Sequence, residues 1–393
     1  MMGRSFPRSC RPVHHARRYC PPVPSRSGPR GRSESNGISA SELPATIRSP
    51  ARWRRMSRSS STEQLMSGHG LTRGTRAMLV LRRQRCGKGF RFVDAQGATI
   101  TDAPTVSRLR SLAMPPAYVN VRYAANPTAH LQAVGEDAAG RLQYRYHPNW
   151  HRVREIIKAR KLHNIARTLP AISRKVRRFL RAESADSRRA AAAVVYLVSK
   201  TALRAGSDSY ARERGTRGAT TLLKSNVEID GLTVRLHFRG KGARMVTREV
   251  RDRTLAATCR NLLVLPGRRL FQYRDADGAL HVVRAADVNA FLREVSGVRV
   301  SLKDFRTLVA SAGVMKALAA APPARTLRAR KALLRDAIAA AAQELANTPT
   351  VCRKSYVHEA VIAAFEQGEL PPAAGRTLEG TAQALARVVA RHR

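Results

Sequence analysis

Asn347-Thr348-Pro349-Thr350-Val351-Cys352-Arg353-Lys354-Ser355-Tyr356 is the stretch on which the reading of this chain turns. Thr348 before Pro349 has the form of a helix start: the threonine hydroxyl accepts a bond from a free backbone N–H, and proline gives up only an N–H that would have no partner there. A helix is therefore expected from this pair, carrying Tyr356 on its second or third turn. A phenol beside adjacent cations is a way to present an oxygen nucleophile to a phosphodiester. Tyrosine has a reference pKa of about 10, so only about one phenol in a thousand is ionised at neutral pH, and nearby positive charge raises that fraction. The commoner use of a tyrosine is to pack its ring on the core with a wet hydroxyl. The rest of the chain decides between the two.

Composition narrows the partners. With 393 residues and 43% apolar content the chain has room for two or three domains with real cores. Its 72 Lys and Arg against 27 Asp and Glu give a formal net charge of +45. A compact form so charged repels itself unless a polyanion shares its space, which points to nucleic acid. The basic residues run from Arg82 to Arg391 and are not confined to a tail. Cys10, Cys20, Cys86, Cys259 and Cys352 are scattered, with no pair at metal-ligand or redox spacing, as expected of a protein in a reducing compartment without structural zinc. No apolar run approaches the roughly 20 residues of a membrane span, and no apolar leader core is present. These features predict a cytoplasmic protein that does not engage a membrane.

The pattern along the chain predicts an α+β protein. Residues 1–75 are rich in Arg, Ser, Pro and Gly without an apolar period and are expected to be disordered. A nucleic-acid-binding tail, an organelle transit peptide and residues upstream of the true start all fit that segment; Met56, Met66 and Met78 offer later starts and favour the last. Residues 76–149 read as a small β-rich domain, with Gly89-Phe90-Arg91-Phe92-Val93 and the alternating Leu142-Gln143-Tyr144-Arg145-Tyr146 as strands. From residue 150 to 370 the period becomes helical, with Val153, Ile156, Ile157, Leu162 and Ile165 on one face and an apolar helix from Ala190 to Leu203. An inserted small sheet is expected between Asn226 and Val250, where Arg239-Gly240-Lys241-Gly242 makes the turn. Helices resume at Thr254, Ala286 and Lys303, and a long Ala- and Leu-rich helix spans about 324–346. Residues 371–393 read as a tail with one more amphipathic helix, its apolar face formed by Leu378, Leu385 and Val389.

Four ordered blocks of the larger domain resemble the poxvirus-like type IB DNA topoisomerases in their bacterial branch. Asn347, Thr348-Pro349, Arg353-Lys354 and Tyr356 match the region of the family's nucleophilic tyrosine; Leu203-Arg204-Ala205-Gly206 with Tyr210-Ala211-Arg212-Glu213 matches the block of the first catalytic arginine. Phe238-Arg239-Gly240-Lys241-Gly242 matches the hairpin of the general-acid lysine, and Ser301-Leu302-Lys303-Asp304-Phe305-Arg306-Thr307 the block of the second arginine. The small domain adds Lys88-Gly89-Phe90 with Asp94, Met114-Pro115-Pro116-Ala117-Tyr118, His130-Leu131-Gln132-Ala133 and Gln143-Tyr144-Arg145-Tyr146-His147-Pro148.

The resemblance implies Tyr356 as nucleophile, Arg204 and Arg306 as catalytic cations, Lys241 as acid, Asn347 as an amide donor and Lys303 as a further active-site base. It implies DNA contacts by Gln143, Tyr144 and Tyr146, while Arg353 and Lys354 read as contacts to the DNA backbone. It also implies relaxation of supercoiled double-stranded DNA by a monomer, through a 3′-phosphotyrosyl intermediate, without metal, ATP or other cofactor. Asn347 stands where poxvirus members have His, and Tyr118 where bacterial relatives usually have Trp. A tyrosine recombinase uses a similar residue set, but there a His usually precedes the second arginine by three residues, where this chain has Lys303. A non-catalytic basic DNA-binding protein would use the same charges for counterion release alone.

Overall fold

The computed structural model describes residues 62–182, 186–372 and 377–392; the expected disorder of residues 1–61 lies outside them. The order begins earlier than the composition suggested. Residues 62–75, read above as part of a disordered extension, include helix α1 (Thr62–Ser67). Leu65, Met66 and Leu71 are buried in one cluster with Val153 and are joined by Trp150, Ile156 and Ile157. The apolar residues of this segment are few, but they cover the first turns of the next domain, a contact that composition averaged over 1–75 conceals.

The small domain is a five-stranded antiparallel sheet in the order β2-β1-β3-β4-β5, formed by β1 (Leu81–Cys86), β2 (Gly89–Val93), β3 (Val119–Tyr123), β4 (Leu131–Glu136) and β5 (Leu142–Tyr146). Helix α2 (Ala103–Ser111) begins at Asp102, whose carboxylate accepts from the Thr105 N–H at 2.9 Å. Leu109 of α2 packs with Leu81, Phe92, Met114, Val121, Tyr123 and Ala133. Arg83 donates to the carbonyls of Met114, Pro115 and Tyr118 at 2.8, 3.0 and 2.6 Å, holding the Pro-Pro loop against β1. Strand β5 is an edge, and it stands largely exposed.

The larger domain is mainly α. Helix α3 (Trp150–Arg181) leads to α4 (Ser187–Thr201) and α5 (Asp208–Arg214), and then to a three-stranded antiparallel sheet of β6 (Val227–Asp230), β7 (Thr233–Arg239) and β8 (Met245–Arg251). After α6 (Arg253–Leu263) come a short hairpin, β9 (Gln272–Arg274) and β10 (Leu280–Val282), and α7 (Ala285–Ser296). Helix α8 (Leu302–Ala320) follows, with α9 (Leu327–Glu344), α10 (Pro349–Ser355), α11 (Glu359–Glu366) and α12 (Leu378–Arg391). Most of α8 is buried, including Phe305, Leu308, Ala310 and Val314, because it packs against α3, α4, α9 and α12.

Helix α12 corrects the reading of residues 371–393 as a tail. Leu385 and Val389 are fully buried in the main core, and α12 packs along α3 and α8, which makes it part of the domain. Leu385→Ala should therefore destabilise the protein by about 2–5 kcal/mol, the range for truncating a buried leucine. Denaturant unfolding would check this; a loss below about 0.5 kcal/mol, typical of a surface site, would contradict the packing.

Candidate active site

Helix α10 starts as expected: Thr348 Oγ1 accepts from the Val351 N–H at 3.3 Å, and Pro349 holds the first turn. Its end differs. The N–H groups of Tyr356 and Val357 both donate to the Cys352 carbonyl, at 2.9 and 3.0 Å, so the helix closes at Ser355 and Tyr356 is its C-cap, not a residue of a further turn. The chain turns inward there because Val357 is an apolar residue with a core to fill. Ser311 of α8, fully buried, donates to the Tyr356 carbonyl at 3.0 Å and accepts from the His358 N–H at 3.1 Å. The backbone on both sides of the phenol is thus pinned to α8.

The same helix carries Arg306. Its side chain is only 4% exposed, and the guanidinium carbon lies 5.0 Å from the centre of the Tyr356 ring. Arg306 donates to the Ala202 carbonyl, at the end of α4, and to the Leu345 carbonyl at 2.9 Å, at the end of α9. Its Nε is buried and has no hydrogen-bond partner among the described residues.

Arg204 comes from the loop after α4, where Ala202 adopts a left-handed conformation with φ 49° and turns the chain out of the helix. It donates to Asn347 Oδ1 at 2.5 Å. That bond leaves Asn347 Nδ2 buried and without a partner among the described residues, a spare donor beside Arg204. A nearby loop sets the height of Arg204: a Cβ on Gly218 would come within 2.5 Å of both the Arg204 carbonyl and the Gly206 nitrogen. Only glycine permits that approach, and the N–H groups of Ala219 and Thr220 then donate to the carbonyls of Arg204 and Ala205, each at 2.8 Å.

Lys241 is exposed at the tip between β7 and β8 and lines the same cleft as Arg204 and Arg306. Lys303, one turn before Arg306 and exposed, lines a wider neighbouring cleft of about 990 Å³ with Lys158, Lys161 and Lys354. The fold thus gathers Tyr356, Arg204, Arg306 and Asn347 from segments far apart in sequence, with Lys241 and Lys303 on the walls.

The expected DNA contacts lie elsewhere. Tyr144 and Tyr146 stand about 40% exposed on β5, their rings stacked at 6.3 Å, and Tyr146 stacks in turn on Trp150 at 6.1 Å. Gln143 points to the other face and donates to Asp137 Oδ2 at 2.9 Å. Arg353 is engaged in a bidentate fork with Glu359 at 2.8 and 3.0 Å, whereas Lys354 is exposed. Gly218 and Ser311, which position the set, carry no recognisable signal in the sequence.

The charges act on the phenol. Burial alone would raise the Tyr356 pKa, but Arg306, then Arg204 and Lys303, outweigh it and hold the phenol below its ordinary value. Burial and mutual repulsion depress Arg204, a cost that a polyanion in the cleft would relieve. In an ultraviolet titration, the difference between wild type and Tyr356→Phe should show a phenol ionising below the reference pKa of about 10. Arg306→Ala should move it upward, since burial remains while the opposing charge is gone. No shift on removing Arg306 would contradict the geometry.

Comparison with known proteins identifies relatives for both domains. Residues 148–369 match the family model of the catalytic core of eukaryotic DNA topoisomerase I, and residues 89–137 match that of the N-terminal domain of bacterial DNA topoisomerase IB. A DNA topoisomerase 1B of Acanthamoeba polyphaga mimivirus is 29% identical over 282 residues, which covers 70% of this chain and 84% of the viral protein. Both parts of the fold, the sheet domain and the helical domain that carries Tyr356, therefore have the same kind of relative, and the chain belongs to the DNA topoisomerase IB family.

Proposed function

We propose that this topoisomerase relaxes supercoiled DNA by transient cleavage of one strand through a 3′-phosphotyrosyl intermediate at Tyr356, without ATP or metal. The observation that carries the reading is the guanidinium of Arg306, held against the Tyr356 ring by two backbone carbonyls, with Arg204 lining the same cleft and bonded to Asn347. Tyr356 Oη attacks the scissile phosphorus. The bond to the 5′ oxygen breaks as the P–Oη bond forms, and Lys241 Nζ gives that oxygen its proton. Arg204, Arg306 and Asn347 neutralise charge on the non-bridging oxygens, work that here needs only side chains already in position. Lys303 adds positive potential from the neighbouring wall.

Because the phosphotyrosyl ester conserves the energy of the broken phosphodiester, the 5′-hydroxyl can attack it in reverse, with Lys241 taking the proton back. Strand rotation between the two steps releases supercoils of either sign. Tyr144, Tyr146 and Lys354 are placed where a DNA duplex or its backbone could meet them; Gln143 and Arg353 would first have to give up Asp137 and Glu359. All the proposed groups come from one chain, which supports action as a monomer, on the DNA of the bacterial nucleoid in the cytoplasm. Among the described residues, no helix is long and apolar enough to cross a membrane.

Plasmid relaxation in EDTA without nucleotide tests the reading. Wild type should relax the plasmid, and Tyr356→Phe should bind it without nicking. Lys241→Ala should lose about a hundred- to ten-thousand-fold in cleavage rate, the range for removal of a general acid. Relaxation by Tyr356→Phe, or a strict need for magnesium, would overturn the assignment.

A further inference from the structure

Two cations that line the catalytic cleft have no part in the chemistry above: Arg248, which donates to the carbonyls of Thr247 and Glu344 at 2.8 and 2.7 Å, and Arg217. Arg217 lines the cleft with Arg204, Lys241 and Arg306. Its backbone N–H donates to the Arg239 carbonyl at 2.7 Å, which fixes it beside the strand that leads into Lys241. Its neighbour Gly218 is packed on the Arg204 peptide, so Arg217 cannot drift from the site.

The guanidinium reaches the Thr221 carbonyl at 3.3 Å and forms no ion pair among the described residues. It stands near two further arginines, Arg268 and Arg269. Of these, Arg269 is paired with Asp208, whereas Arg268 is exposed and unpaired among the described residues. Partial burial and repulsion from both neighbours make the charge of Arg217 costly in the DNA-free protein. A bound anion would relieve that cost.

The position selects which anion. Arg306 stands against the Tyr356 ring, whereas Arg217 enters the cleft beside the strand that leads into Lys241. It lies on the Lys241 side, where the 5′ oxygen leaves. Building on the role of Lys241 as acid, we propose that Arg217 binds a backbone phosphate flanking the scissile one on the strand that departs with the free 5′-hydroxyl. The contact holds that strand end in place for resealing. Arg217 is then a binding residue for the religation substrate, and the charge of Arg268 adds to its attraction.

The test uses the full chain on a DNA substrate whose short leaving strand is lost after cleavage, so that the covalent complex accumulates and can be offered 5′-hydroxyl acceptor strands. For Arg217→Ala, the half-saturating acceptor concentration should rise about tenfold, the scale of one lost charge-assisted hydrogen bond, and by more than the saturated religation rate falls. Arg217→Lys should recover most of this, since a point charge still meets a phosphate. Neutral methylphosphonate placed at successive acceptor phosphates should identify one position where wild type loses as much as Arg217→Ala has lost and the variant loses nothing more. An acceptor dependence unchanged in Arg217→Ala, or additive losses at every phosphate, would overturn the inference while leaving the phosphotyrosyl reading intact. Failure of wild type to form the covalent complex would overturn both.

Discussion

A guanidinium buried in the core of the catalytic domain is the constraint on which the rest of the site depends. Arg306 is 4% exposed and has no carboxylate partner among the described residues. Burying such a charge is costly unless its donors are used and an opposite charge arrives. Here the donors tie together three chain ends: the exit of α4 at Ala202, the exit of α9 at Leu345, and α8 itself. Those exits lead directly to Arg204 and to Asn347, the two groups that bond to each other. One side chain therefore sets the spacing of the others. The apolar packing of α8 on its neighbouring helices offsets the cost in the absence of DNA.

The electrostatic state follows from that geometry. Three cations act on one phenol and lower its pKa against the effect of burial, while burial in turn depresses Arg204 and Arg306, with repulsion from Arg306 adding to it at Arg204 and from Arg248 at Arg306. On the proposed mechanism, a phosphate among these groups would relieve the cost of holding them together. The lysines, by contrast, sit on exposed walls.

Much of this was legible in the sequence, and the reasons differ from element to element. Alternation exposed β5 and the β7–β8 hairpin, and the Thr-Pro pair announced α10, because local rules govern those features. The four blocks around Arg204, Lys241, Arg306 and Tyr356 were recognisable as a set, though their convergence is a property of the tertiary fold. The place of Tyr356 was not legible: its helix stops at Ser355 because Val357 finds a core that no local pattern describes. Ser311, Gly218 and the engagement of Arg353 with Glu359 were hidden for the same reason, since each depends on what a distant segment brings near. Residues 62–75 and helix α12 looked like tails because their few apolar residues matter only against a partner surface.

The central claim is that one phenol, Tyr356, takes the phosphate. The most direct measurement is mass spectrometry of the covalent complex trapped by denaturation, digested to a peptide that still carries its oligonucleotide. The account predicts a 3′-phosphate ester mapped to Tyr356 and to no other residue. A DNA adduct on any other side chain, or a link through the 5′ end of the broken strand, would contradict it.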